Sequence, residues 1–387
     1  MVIALGLYLP LTLLAPLAPT VAHVLPFANP PRQAAAVALP PYGASAIGAI
    51  GYPEVLATAG SAEPLPIASI SKIITSLVVL GAKPIAPGSS GPTITFTAAD
   101  AALTAKYVAL DGETKPLKAG STISELDLMR VALVASANNY ADAMAGWAFG
   151  THAAFQSAVD TWLAANGLHH TTIVEPTGID PRNASTATDL VQIGKLALAN
   201  PVISSIVSTR TMTLAGVGTL DNTNTLLGRQ GVEGIKTGTL NGASNLLFAA
   251  QYAYGSHTIT VIGAVIGGSD HKSVDGSVSA LLAGVKAGFH EVTLATRGET
   301  FASFTTPWAG RARAVSTRTA SVLVWSNTPV TAVVSTEPVG LAPTDTAVGR
   351  VTFRAGSQTL SVPLSLDRAL ADPGVWWRLG HPADLLR

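Results

Sequence analysis

Residues 66–80 read Pro-Ile-Ala-Ser-Ile-Ser-Lys-Ile-Ile-Thr-Ser-Leu-Val-Val-Leu. The run is apolar on every side rather than along one stripe, which predicts a helix buried inside a larger body. Pro66 stands just before it, where a helix can begin. Five polar side chains interrupt the apolar run, and two of them, Ser69 and Lys72, are three apart and share one face of the first turn. A serine hydroxyl is a poor nucleophile until a base takes its proton, and lysine is such a base only when burial or a neighbouring cation lowers its pKa. Ile70, Ile73 and Ile74 supply the burial. The amides at the start of a helix also suit a developing oxyanion. The S-x-x-K pattern alone is cheap, since Ser269-Asp-His-Lys272 repeats it in this same chain.

Two further triplets follow in order, Ser136-Ala-Asn138 and Lys236-Thr-Gly238, and each pattern occurs once. Ser136 and Asn138 are expected in a loop where a helical run ends, aiming a hydroxyl at a leaving group and an amide at a substrate backbone. Lys236, Thr237 and Gly238 fall on a candidate edge strand. There Gly238 lets a peptide backbone approach, and the ammonium and hydroxyl meet a carboxylate. Lys236 is also the neighbouring cation that would depress Lys72.

Working outward, Ser45–Ile50, Glu54–Ala59 and Thr93–Phe96 predict short strands, and Ser124-Glu-Leu-Asp127 a capping box ahead of a helix over 126–134. Helices fit 153–166 and 188–199. From about residue 230 the pattern turns to strands, 234–239, 245–252 and 257–266, separated by Gly, Ser and Asn clusters, before a helix over 277–289. The expected fold class is α/β (α+β): an antiparallel sheet flanked by helices with an all-helical part, plus a small C-terminal all-β domain of Val/Thr-rich runs. The expected division is 1–22 signal peptide or membrane anchor, 23–40 linker, 41–292 catalytic domain, 293–368 small β-domain and 369–387 tail.

The chain has 387 residues, 48% hydrophobic and 12% charged, enough apolar material for a large core. Lys and Arg total 23 against 23 Asp and Glu, so no overall field favours nucleic acid. With no cysteine, thiol catalysis, disulfides and thiolate metal sites are excluded. Residues 1–27 carry no Lys, Arg, Asp or Glu, which predicts export, with Thr20-Val-Ala22 a cleavage triplet before His23. Residues 23–40 read as an extended Pro/Ala-rich tether.

The three triplets together form a signature of penicillin-binding proteins and class A β-lactamases. The sequence resembles the low-molecular-mass penicillin-binding D-alanyl-D-alanine carboxypeptidases, a family of penicillin-binding/β-lactamase-like fold. Beside the motifs, Pro176-Thr-Gly-Ile-Asp180, Ser185-Thr-Ala-Thr-Asp-Leu190 and Val232-Glu-Gly-Ile-Lys-Thr-Gly-Thr239 are similar to that family's segments. The resemblance runs from about 44 to 290, and more weakly into the β-domain through Leu341-Ala-Pro343 and Val348-Gly349. It implies that Ser69 attacks the bond between the last two D-alanines of a peptidoglycan stem peptide while Lys72 accepts its proton. The amides of Ser69 and Thr239 form the oxyanion hole, and Ser136 passes a proton to the departing D-alanine. Asn138, Lys236, Thr237, Gly238 and Thr239 bind substrate, water then frees the acyl-enzyme, and β-lactams acylate the same serine. Peptidoglycan stem peptides are the expected partners, β-lactams the inhibitors, and the location extracytoplasmic, secreted or held to the membrane by the N-terminal segment. No cofactor, metal or nucleic acid is expected.

One departure stands out: after Gly267-Gly268 comes Ser-Asp-His-Lys-Ser, where family members often carry an arginine that holds the substrate carboxylate. Lys272 is one substitute, and Lys236 with Thr237 the other. The expected basic amphipathic C-terminal anchor is absent as well. Three other readings stay open: a β-lactamase or transpeptidase using the same serine, a receptor that is acylated without turnover, and an inert wall-binding scaffold. Glu175, as a deacylating carboxylate, would favour the β-lactamase, although Glu-Pro-Thr-Gly is not that enzyme's setting. His169-His170 is read as solvent-facing rather than as a metal pair, and Trp376 and Trp377 as packing residues.

Overall fold

In the computed structural model, which describes residues 2–28 and 32–385, the Gly, Ser and Asn clusters after residue 230 become the turns of an antiparallel meander. Its strands belong to a compact unit, Ala36–Ala287. We label Ala44–Ala49 β1, Ala57–Gly60 β2, Val232–Leu240 β3, Ala243–Tyr254 β4 and His257–Gly268 β5. The sheet order is β3-β4-β5-β1-β2, antiparallel throughout. The meander leaves β3 at an edge, as the sequence predicts for the strand of Lys236. All six residues of β1 are buried, because the sheet is covered on both faces.

Five helices of this unit matter for the site: α1 Ser71–Ala82, α2 Glu125–Val134, α3 Asn138–Phe149, α4 Ala187–Ala199 and α5 His271–Gly288. Every residue of α1 from Ser71 to Leu80 is buried, the outcome its all-round apolar sequence predicts. It is wrapped by α2, α3, α4 and the helix His152–Ala165. Ile70, Ile73, Val131, Val134, Ile193 and Ile262 are completely buried in this core. At residues like these, each side chain contributes about 1.5–3 kcal/mol on leaving water. α4 lies on β5 and β1, completing a helix–sheet–helix arrangement.

Several element predictions are corrected. The helix expected over 67–80 begins with one 3₁₀ turn, Ala68–Ile70. Asn138 does not sit in a loop but opens α3, and the loop between α2 and α3 shrinks to three residues. A helix over Ala98–Ala109 escaped the sequence reading, although Thr97 and Asp100 form a reciprocal capping box at its start. Ser124 accepts from the Asp127 amide at the head of α2, but the reciprocal half of that box does not form. α5 starts at His271, six residues earlier than expected.

The second unit comprises Met1–Ala35 together with Gly288–Arg387. Its six-stranded antiparallel sheet runs His23–Val24, Thr300–Thr305, Arg311–Ser316, Gln358–Leu366, Ala347–Ala355, Val330–Thr336, beside the pair Phe289–Ala295 and Ala320–Trp325. Phe304, Val351, Phe353, Val362 and Leu364 form its core. The stretch expected to be an extended tether is therefore partly strand: His23 pairs with Ser303, and Thr20 bridges to Val339. Residues 29–31 of that stretch lie outside the described residues. The apolar start forms a helix, Val2–Leu13, where Tyr8 donates its hydroxyl to Leu379 O at 2.7 Å. Among the described residues no single helix is long and apolar enough to cross a membrane. Trp377 packs on Trp308 and His381, whereas Trp376 is exposed, so only one of the two tryptophans packs as expected.

Candidate active site

Ser69 sits in the 3₁₀ turn at the head of α1. The residue before it, Ala68, has φ +50°, a left-handed conformation that costs about 1–2 kcal/mol outside glycine and needs support from its surroundings. That support is visible. Asn245 donates to Pro66 O at 3.0 Å, the Ile67 amide donates to Asn183 O at 3.0 Å, and the Ser71 hydroxyl donates to Ala68 O at 2.8 Å. Two glycines press on the same turn. A Cβ on Gly178 would lie 1.9 Å from Ala68 O, and one on Gly238 would lie 2.6 Å from Ile67 O. Gly238, read in the sequence as room for a substrate, is thus also room for the backbone of the turn that carries Ser69. Gly178→Ala, whose φ is +85° and whose Cβ meets backbone, is expected to destabilise the unit by about 3 kcal/mol or more. Thermal unfolding checks this, and a midpoint within a degree or two of wild type would refute the steric argument.

Lys72 is fully buried on α1. Its Nζ lies 2.8 Å from Ser69 Oγ, 2.9 Å from Asn138 Oδ1 and 2.8 Å from Thr177 O. Burial holds this amine well below the usual lysine range. Lys236 pushes it the same way, while Glu175 and Glu113 oppose. A neutral amine has two N–H groups and one lone pair. Asn138 Oδ1 and Thr177 O can accept the two N–H groups, which turns the lone pair toward the Ser69 hydroxyl.

Lys236, on β3, is also almost completely buried, and burial pulls it down to about 7 against the pull of Glu113. Its nearest hydroxyl is Thr223 Oγ1 at 3.4 Å, which in turn lies 2.5 Å from Thr237 Oγ1. Ser136 occupies the short turn between α2 and α3 with φ +58°, and is 4% exposed. Asn138 is fixed by its amide, which donates to Glu113 O at 2.7 Å. Its side-chain oxygen serves Lys72, leaving Nδ2 a long 3.5 Å contact to Thr177 Oγ1. Ser69, Ser136, Asn138, Thr237, Gly238 and Thr239 line one cleft, with Lys72 and Lys236 beneath it. All eight residues expected from the sequence are therefore brought together.

Other residues around the site take roles that the sequence does not predict. Glu175, read there as a candidate deacylating carboxylate, braces the turn that carries Thr177. Its Oε2 accepts from the amide and hydroxyl of Thr177 at 2.8 and 2.7 Å, and its Oε1 from the amides of Gly178 and Asp180 and from Asn183 Nδ2. These partners use the carboxylate's capacity of about four lone pairs. Glu175 is therefore occupied in holding Thr177 O against Lys72. Asp111, Glu113, Thr223 and His271 line the cleft as well, while Lys272, the expected stand-in for the missing arginine, is exposed and does not line it. The decoy pair Ser269 and Lys272 lies on an exposed helix start with none of the burial that Lys72 has. His169 and His170 are exposed too, and among the described residues no cluster could hold a metal ion.

Residues 51–269 match the family model for D-alanyl-D-alanine carboxypeptidase. The chain belongs to this family. Among its relatives, the D-alanyl-D-alanine endopeptidase of Escherichia coli (strain K12) is 32% identical over 193 residues, 47% of this chain and 58% of the relative. The D-alanyl-D-alanine carboxypeptidase DacC of the same strain is 30% identical over 213 residues, 54% of this chain and 53% of the relative. The chain thus spans a little over half the length of these curated relatives. A peptidoglycan synthesis regulatory factor from Streptococcus pneumoniae shares the fold with a TM-score of 0.64 at 19% identity, over 87% of this chain and 100% of that one. The mixed fold of helices and antiparallel sheet expected from the sequence is the family's.

Proposed function

We propose that the chain is a serine D-alanyl-D-alanine carboxypeptidase acting on peptidoglycan stem peptides outside the cytoplasm, with residues 41–292 as its catalytic domain. The observation that carries this reading is a fully buried Lys72 whose Nζ lies 2.8 Å from Ser69 Oγ. Neutral Lys72 takes the hydroxyl proton as Ser69 Oγ bonds to the carbonyl carbon between the two D-alanines. The negative charge that develops on the carbonyl oxygen faces the amides of Ser69 and Thr239. When the C–N bond breaks, the proton returns through Lys72 and the Ser136 hydroxyl to the leaving amine, and D-alanine departs. Water then repeats the sequence in reverse and frees the shortened peptide. Lys236, Thr237 and Asn138 hold the substrate. A β-lactam carbonyl enters the same path and acylates Ser69. The apolar N-terminal segment is the part suited to hold the protein at the membrane.

The occupied carboxylate of Glu175 speaks against the β-lactamase reading, because it has no free lone pair with which to activate a deacylating water. The adduct with penicillin is accordingly expected to be long-lived. A second reading, cleavage of an internal D-alanyl bond, is favoured by the absence of any arginine among the residues lining the cleft and by a relative named as an endopeptidase. Incubation with diacetyl-Lys-D-Ala-D-Ala and with labelled penicillin tests the proposal. Release of D-alanine and a label on Ser69 are expected. A labelled serine without D-alanine release would support the receptor reading instead.

A further inference from the structure

A substrate that ends in a free carboxylate brings a negative charge into a cleft already lined by Asp111 and Glu113. Something positive must offset it. Lys236 is almost completely buried, and at about 7 it is only partly charged near neutral pH. Among the described residues lining the cleft there is no lysine or arginine, and His271 is the one basic side chain. It is the first residue of α5, half-buried, and its Nε2 lies 2.7 Å from Thr239 Oγ1 on β3.

The charge at this site changes when the ring titrates. In the imidazolium both ring nitrogens carry protons, so Nε2–H donates to Thr239 Oγ1 and the hydroxyl proton is free to meet a carboxylate. Loss of one proton removes the positive charge, and in the Nδ1–H tautomer the Thr239 hydroxyl also turns to donate to Nε2. We propose that His271 is the specificity-determining residue of this cleft. As imidazolium it favours peptides that end in a free carboxylate, and as neutral imidazole it leaves the cleft to internal bonds whose C-terminal side is an amide. The proposal rests on the peptidase reading above and deepens it.

The groups facing His271 set where it switches. Burial lowers its proton affinity; Asp275 works against this, Lys236 on β3 works with it, and Asp270 again opposes. Asp275 is engaged by the Thr225 hydroxyl, and Asp270 by the Ser273 amide, while Asp111 and Glu113 stand elsewhere along the cleft. The net direction is downward, so the charged ring predominates only below the usual histidine range.

The test compares kcat/KM for diacetyl-Lys-D-Ala-D-Ala with that for its C-terminal amide, from about pH 4.5 to 8. Protonation of Lys72 slows both substrates alike and cancels in the ratio. The ratio of acid to amide is expected to rise about tenfold or more as pH falls below the usual histidine range. His271→Arg should hold it high and flat, and His271→Gln low and flat, with thermal unfolding confirming that both variants fold. A ratio that does not change with pH overturns the proposal. So does a pH dependence that survives in His271→Gln, because the titrating group is then Lys236. No turnover of either substrate by the wild type, and no labelling by penicillin, would overturn the peptidase reading along with it.

Discussion

Replacing Ser69 by alanine is expected to abolish covalent labelling by penicillin and to lower D-alanine release by about 10⁴-fold or more, leaving only what substrate binding and the oxyanion amides contribute. The fold should survive, because the turn is held by backbone contacts to Asn183, Asn245 and Ser71 that do not involve the Ser69 hydroxyl. Among the described residues the hydroxyl's one hydrogen-bond partner is Lys72 Nζ. Mass spectrometry of the labelled protein and its thermal midpoint check both halves. A label that persists in Ser69→Ala, on Ser136 or elsewhere, refutes the assignment.

Lys72→Met should be nearly as damaging to acylation, by about 10²–10⁴-fold, the usual contribution of a positioned base. It also strands Asn138 Oδ1 and Thr177 O in a buried place without their donor, so Asn138 is expected to loosen with it. The pH profile carries a sharper test. Lys72 works only when neutral, and its depressed pKa keeps it neutral below the ordinary lysine range. Acylation should therefore fall on the acid side, with a limb that belongs to the Lys72–Lys236 pair rather than to either alone. Lys236→Ala removes a like charge, raises Lys72, and should move that limb to higher pH. Stability follows the same sign. Between the depressed folded values and the unfolded value of 10.5 the unfolded chain binds more protons, so these lysines make stability rise with pH from about 7 upward. A limb that moves to lower pH in Lys236→Ala would rule out the electrostatic coupling.

Much of this site was legible because its residues come in local triplets. Ser69 with Lys72, Ser136 with Asn138, and Lys236 with its two neighbours each occupy one turn or one strand, where spacing along the chain is spacing in space. The meander was legible too, from strand-like runs set off by Gly, Ser and Asn clusters. What escaped has longer reach or weaker local pattern. Glu175 reads as a candidate deacylating carboxylate, yet its bonds are to the amide and hydroxyl of Thr177, whose carbonyl meets Lys72, and no periodicity marks such a link. Asn138 was misplaced in a loop because the helix it opens has no side-chain cap, and the turn before it is made by Ser136 rather than by a glycine. His271 lies inside the decoy Ser269-Asp-His-Lys272, where no local pattern marks a histidine that reaches across to Thr239 on β3. Strand His23–Val24 is two residues long and finds its partner at Thr300–Thr305, far beyond any sequence window.

That short strand has a consequence for how the chain comes to fold. The sheet it joins is built from both ends of the sequence, with the whole of Ala36–Ala287 threaded between them. The crossings lie side by side: Ala35 donates its amide to Ser326 Oγ at 2.9 Å, and Ser326 donates its own to Gly288 O at 2.8 Å. During synthesis His23–Val24 must wait for Thr300–Thr305 to emerge, whereas the strands of Ala36–Ala287 pair within their own unit. Closing so long a loop is entropically costly only if the loop is open chain. Once Ala36–Ala287 has folded, the stretch of open chain between His23–Val24 and Thr300–Thr305 is far shorter than their separation in sequence, and so is the entropy lost in pairing them.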